Sequence, residues 1–218
     1  MTMLKNSRLR ATSICIMVSG VIGLLAACGK DNSASAALAT APEAAQAKLA
    51  KPCFLPVGQL GEKDAKVFAA AGSGDVLRLQ QAIDAGGNVN AIDSLRRTPL
   101  FAAAFCNQTQ VASLLIDRGS IADAKDFTGS SPLHTAVITG SDEVVKALLL
   151  KGANINIQDA MGYTPLHLAA ATDQVGIVEL LLEHGANVRI SGKNELTAAA
   201  LALRNGHPKA VAAIKRSQ

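Results

Sequence analysis

The chain has 218 residues, with 21 Lys+Arg against 17 Asp+Glu, 3% aromatic residues and no tryptophan. Three of the bases (Lys5, Arg8 and Arg10) stand at the N-terminus, and without them the chain is close to neutral. No nucleic-acid partner is expected, because phosphate binding needs clustered bases that release counterions, and an Ala- and Leu-rich chain poor in aromatics suits close-packed small helices rather than a β-sandwich.

The first ten residues, "MTMLKNSRLR", carry no acid, and an apolar run follows from Ala11 to Ala27, interrupted by small polar residues, Gly20 and Gly23. That is the layout of a secretory signal, residues 1–27. A spanning helix needs ~20 mainly apolar residues, and this run is shorter and broken. Its end, Leu25-Ala26-Ala27-Cys28, resembles the lipobox of bacterial lipoproteins. The resemblance implies cleavage before Cys28, whose sulfur carries a diacylglyceryl group, and anchoring by two or three acyl chains at ~0.8 kcal/mol per buried methylene. Gly29 stands where the enteric sorting rule reads Asp as retention in the inner membrane, so the outer membrane is favoured. The expected location is therefore the bacterial envelope, lipid-anchored and facing the periplasm.

Residues 28–58, "CGKDNSASAALATAPEAAQAKLAKPCFLPVG", have an Ala/Ser/Pro bias and no sustained apolar face, and read as a tether. A flexible chain of this length averages ~30 Å end to end. Cys15 leaves with the signal and Cys28 takes the lipid, so Cys53 and Cys106 remain, in a compartment where disulfides persist. Two readings of them stay open. A bridge would pin the tether to the folded part and contribute ~2–4 kcal/mol; otherwise they are two unpaired small hydrophobes.

From residue 59 to 218 the chain repeats itself. "RTPLFAAAF" begins at Arg97, "SSPLHTAVI" at Ser130, "YTPLHLAAA" at Tyr163 and "LTAAALALR" at Leu196, each 33 residues after the last. The same apolar pattern, without proline, lies one period earlier at Asp64, and Gly86, Gly119, Gly152 and Gly185 recur in phase. Thr98, Ser131 and Thr164 suit helix N-caps, each followed by proline at the first helical position. Leu100/Ala103/Ala104, Leu133/Ala136/Val137 and Leu166/Ala169/Ala170 form a stripe at helical spacing. Gly74, Asn107, Gly140, Asp173 and Gly206 fall where the first helix of each unit must end, and all are types that tolerate positive φ. Second helices such as "DEVVKALLLKG" end at a glycine suited to a C-cap.

A 33-residue period with T-P-L-H and a later Gly-Ala resembles the ankyrin repeat. The resemblance implies an all-α repeat solenoid of about five helix-turn-helix units joined by β-hairpin loops, near residues 60–92, 93–125, 126–158, 159–191 and 192–218. The first and last depart from the pattern, as end caps with an altered outer face do. It also implies that His134 and His167 brace their turns by hydrogen bonds. His184 and His207 read as solvated, no histidine pair has zinc spacing, and "GSGDV" at 72–76 is too short for a phosphate loop. No catalytic residue, metal, cofactor or small-molecule ligand is expected.

The function implied is non-enzymatic protein binding, with the partner unidentified. In the family, targets meet the hairpin tips and the exposed face of the inner helices. The tip slots here hold Leu95, Arg97, Phe127, Met161 and Tyr163, and the helix slots Phe105, Ile138, Thr139 and Thr172. Three of the chain's six aromatics (Phe105, Phe127, Tyr163) fall in slots expected to face solvent, edged by Arg96, Arg97 and Lys125. Two uses fit: an immunity or inhibitor protein against a periplasm-active toxin or hydrolase, or a scaffold or chaperone-like helper of an envelope enzyme such as a catalase, which similar periplasmic ankyrin proteins accompany.

Overall fold

The computed structural model describes Cys53, Phe54, Pro56 and residues 58–217. The signal segment, Cys28 and the tether up to residue 52 lie outside the described residues. Ten helices follow one another in five pairs, with no strand among the described residues: α1 (Glu62–Ser73) and α2 (Val76–Asp84), α3 (Pro99–Phe105) and α4 (Thr109–Asp117), α5 (Pro132–Ile138) and α6 (Asp142–Leu150), α7 (Pro165–Ala171) and α8 (Val175–Glu183), α9 (Ala198–Asn205) and α10 (Pro208–Arg216).

Seven residues, the length of α3, α5 and α7, are too few for a helix to persist alone in water. Local chemistry sets their ends, and packing supplies their stability. Thr98, Ser131 and Thr164 are extended N-caps followed by Pro99, Pro132 and Pro165. At the other end the chain reverses through Gly74, Asn107, Gly140, Asp173 and Gly206, with φ of 78°, 57°, 69°, 55° and 79°. The left-handed turn expected at these five positions is therefore present at each, with Asn and Asp tolerating it where glycine is absent.

First helices pack on first helices (α1, α3, α5, α7, α9) and second on second (α2, α4, α6, α8, α10). Leu100, Leu133 and Leu166, with Ala103, Ala136 and Ala169, are all at most 1% exposed. A fully buried leucine contributes ~1.5–3 kcal/mol, and the alanines between let the helix axes approach. The ends carry charge instead: Glu62, Lys63 and Lys66 on α1 and Lys209, Lys215 and Arg216 on α10 are exposed.

The loops between pairs are tight turns. The outer closing bonds run from Asp93 N to Arg97 O, Asp126 N to Ser130 O, Asp159 N to Tyr163 O and Gly192 N to Leu196 O, at 2.9–3.1 Å, and a second bond inside each turn returns to the carbonyl of Asp93, Asp126, Asp159 or Gly192. The β-character expected of these hairpins is reduced to an isolated bridge between Ser191 and Thr197, because helix N-caps begin right after the closing bond. Successive tips are tied instead to one another: Phe127 N donates to Leu95 O, Ala160 N to Thr128 O and Lys193 N to Met161 O. A second row runs nearer the outer helices, where Ile121 N, Asn154 N and Asn187 N donate to Asn90, Asp123 and Asn156 side chains of the preceding unit. Both rows recur every 33 residues, so they hold the register of the stack.

Phe54, within the residues assigned to the tether, is only 5% exposed and joins the core. The compact unit begins at Phe54.

Candidate protein-docking face

The hairpin tips and the ends of the first helices hold the residues expected to meet a partner. Asp93, Asp126 and Asp159 build the tips. Their carboxylates accept from Leu95 N and Arg97 N, Thr128 N and Ser130 N, and Met161 N and Tyr163 N, at 2.8–3.0 Å. Each aspartate thus folds its own turn, and the 33-residue spacing of the three was the available signal for this role. Arg96 (φ 60°) and Glu195 (φ 59°) occupy the left-handed tip position that Gly129 and Gly162 take in the intervening turns.

Within this frame the slots separate into exposed and covered ones. Phe127 is 64% exposed, and the bond from its N–H to Leu95 O places these two residues side by side. Arg96, Lys125 and Thr172 are exposed, while Leu95, Ile138, Thr139 and Met161 are half-buried. Thr139 Oγ1 donates to Thr135 O and Ala136 O at 3.1 Å, capping the end of α5. Tyr163 is half-buried, its ring 5.5 Å from that of His167 and its hydroxyl accepting from Asn194 Nδ2 at 3.2 Å. A Cβ at Gly192 would fall 2.6 Å from the Tyr163 ring, so the next tip must pass this ring as glycine.

Two slots are packed from within the chain. Phe105 is half-buried, and the ring of Phe54 meets it edge-on at 6.0 Å. Arg97 does not edge an open surface. Its Nε and Nη2 donate to Asp93 Oδ2 at 2.8 and 2.6 Å, and its guanidinium lies 4.3 Å from the Phe54 ring centre. The Asp93 side chain is wholly buried and that of Arg97 16% exposed. No periodicity marks Phe54 in the sequence, and Asp93 stands among residues whose types suit a surface. Cys53 and Cys106, the residues adjoining Phe54 and Phe105, are each disulfide-bonded.

His134 and His167 are buried and serve two units each. Nδ1 of His134 accepts from Ser131 N at 3.1 Å, so Nε2 carries the proton and donates to Tyr163 O at 3.0 Å. His167 repeats this with Thr164 N at 3.2 Å and Leu196 O at 3.1 Å. In the second unit Phe101 takes the histidine position, and the buried Thr98 Oγ1 is left without a partner. Burial pushes both imidazoles below their usual range, against the opposing pull of the carbonyls they bond.

These imidazoles take up protons on unfolding. Their contribution is full above the unfolded pKa of about 6.5 and is lost as the pH falls from there to the depressed folded value. Thermal stability should decline below pH 6.5, by about 1.4 kcal/mol per histidine for each pH unit of that window. In His134→Asn/His167→Asn, Tm measured between pH 7 and 5 should lose most of this slope; an unchanged slope would assign it elsewhere.

Among the described residues no three His, Cys, Asp or Glu side chains converge on a possible metal position. His207 Nδ1 and Asp173 Oδ2, on the turns of consecutive units, are 4.0 Å apart. No helix of the described residues is long and apolar enough to cross a membrane.

A comparison with curated proteins finds no match. A family model described as ankyrin repeats, three copies, matches residues 67–159 and again 140–217. The two matches together cover every helix from the middle of α1 to the end of α10, so the chain belongs to the ankyrin repeat family, whose stacks are typically non-catalytic and generally mediate protein–protein interaction.

Proposed function

We propose that this protein is a lipid-anchored binding module of the bacterial envelope that inhibits a periplasm-active hydrolase or toxin by covering it. The observation that carries the binding reading is Phe127, a large aromatic left 64% exposed at a tip, bonded to the Leu95 tip and flanked in sequence by Lys125. An exposed aromatic beside half-buried apolar neighbours and a rim of charge is the composition of a binding hot spot. A binding stack of this kind acts on its partner by occupying surface. The anchor reading rests on the basic N-terminus, the apolar run and Leu25-Ala26-Ala27-Cys28.

Two measurements test the two halves. Cys28→Ala should leave a larger, unprocessed precursor, and mass spectrometry of the wild-type protein should find Cys28 acylated as the first residue; any other mature N-terminus refutes the anchor. Cross-linking in intact cells, with the full chain as bait, should capture a hydrolase or toxin whose activity falls when the purified chain is added. A captured partner whose activity is unchanged or raised would refute inhibition and favour the helper role.

A further inference from the structure

Phe54 fills a pocket shaped for an aromatic ring. It stacks on Phe68 with centroids 6.3 Å apart and 14° between the planes, meets Phe105 edge-on at 6.0 Å, and has the Arg97 guanidinium 4.3 Å from its ring centre. Gly72 provides the floor: a Cβ there would come within 3.4 Å of Phe54 Cβ and 3.7 Å of its carbonyl oxygen. Arg97 is held in place by the buried Asp93, so the pocket wall does not depend on the ring that fills it. Phe105 ends α3 in the row that also contains Ile138, Thr139 and Thr172. The residue covering it therefore covers the beginning of the docking row.

We propose that Phe54 is a built-in occupant of the first subsite on the docking face. One disulfide between Cys53 and Cys106 keeps it there, and reduction by a dithiol opens the subsite to an aromatic side chain on a partner's extended segment. In that step the S–S bond accepts two electrons and two protons from the dithiol. Cys53 and Cys106 become thiols, and the dithiol closes to its own disulfide. Without the bridge, the gain from burying one ring is set against the entropy of ordering the lead-in backbone, two quantities of similar size. The bridge makes the contact intramolecular over a short reach and raises its effective concentration, so the redox state decides whether the subsite is filled. The inference rests on the inner-helix ends being the docking face, but its test needs no partner.

Hydrogen exchange read by mass spectrometry would compare the full chain oxidised, after dithiol reduction, and as Cys53→Ser/Cys106→Ser. Amides around Phe54 and at the end of α3 should exchange at least tenfold faster in the reduced chain and in the variant, while α5 to α8 keep their rates. Unchanged exchange overturns the proposal, and so does acceleration through every helix, which would make the bridge a staple of the whole stack. A labelled peptide of residues 51–58, with serine in place of Cys53, should bind Phe54→Ala/Cys53→Ser/Cys106→Ser at least tenfold tighter than it binds the oxidised wild type. The same peptide with alanine in place of Phe54 should lose that advantage. Equal binding in either comparison overturns the subsite, and leaves the exposed Phe127 region to be judged separately.

Discussion

Asp93→Ala should cost about 3–5 kcal/mol of stability, the range for removing one partner of a buried ion pair, and lower Tm by roughly 10 °C. The carboxylate is wholly buried and serves four donors: Leu95 N, Arg97 N, Arg97 Nε and Arg97 Nη2. Its loss leaves a guanidinium with 16% side-chain exposure uncompensated and opens the turn that delivers Thr98 to the start of α3. Since Arg97 also faces Phe54, the lead-in should loosen with it. Asp93→Asn keeps an acceptor for the backbone donors and should recover part of the loss. Thermal and denaturant unfolding of the three proteins would measure this; a cost below about 1 kcal/mol, the size of an exposed pair, would mean that Arg97 reaches solvent when its partner is gone.

Binding should respond elsewhere. Phe127→Ala/Tyr163→Ala is expected to weaken the captured partner by about 2–4 kcal/mol on hot-spot magnitudes, roughly 30- to 700-fold in Kd. The two residues differ in what else they hold. Phe127 is 64% exposed and its removal should leave stability nearly unchanged. Tyr163 lies against His167 and over Gly192, so its removal should also cost about 1 kcal/mol of stability, within the ordinary range for a half-buried position. Tyr163→Phe separates the hydroxyl's bond with Asn194 from the ring's packing. Calorimetric titration below the Tm of both proteins would decide: wild-type affinity in the double variant refutes the tip row as the docking surface.

The repeat itself was legible in the sequence because each of its parts is local. A proline after Thr98, Ser131 or Thr164 starts a helix whatever surrounds it. A Gly, Asn or Asp at 74, 107, 140, 173 and 206 permits the left-handed reversal. The stripe of Leu and Ala follows from the helical period, and together these determined the element order and the alternation of the helices. The exposed Phe127 was legible too, since a tip residue has few neighbours able to cover it.

What only the tertiary structure decided are contacts between residues far apart in the chain, for which the period carries no information. Phe54 lies outside the repeat, yet closes on Phe68 and Phe105, which leaves Phe105 half-buried. Arg97 reads as a surface charge from its composition, but its guanidinium lies 4.3 Å from the ring centre of Phe54, far earlier in the chain. His134 and His167 each carry a second hydrogen bond to the following unit, visible only once the units are stacked. A periodic sequence determines what each unit is, since those choices depend on neighbours within one turn; which side chains are covered depends on what else reaches the same surface, and in three dimensions the lead-in segment reached it first.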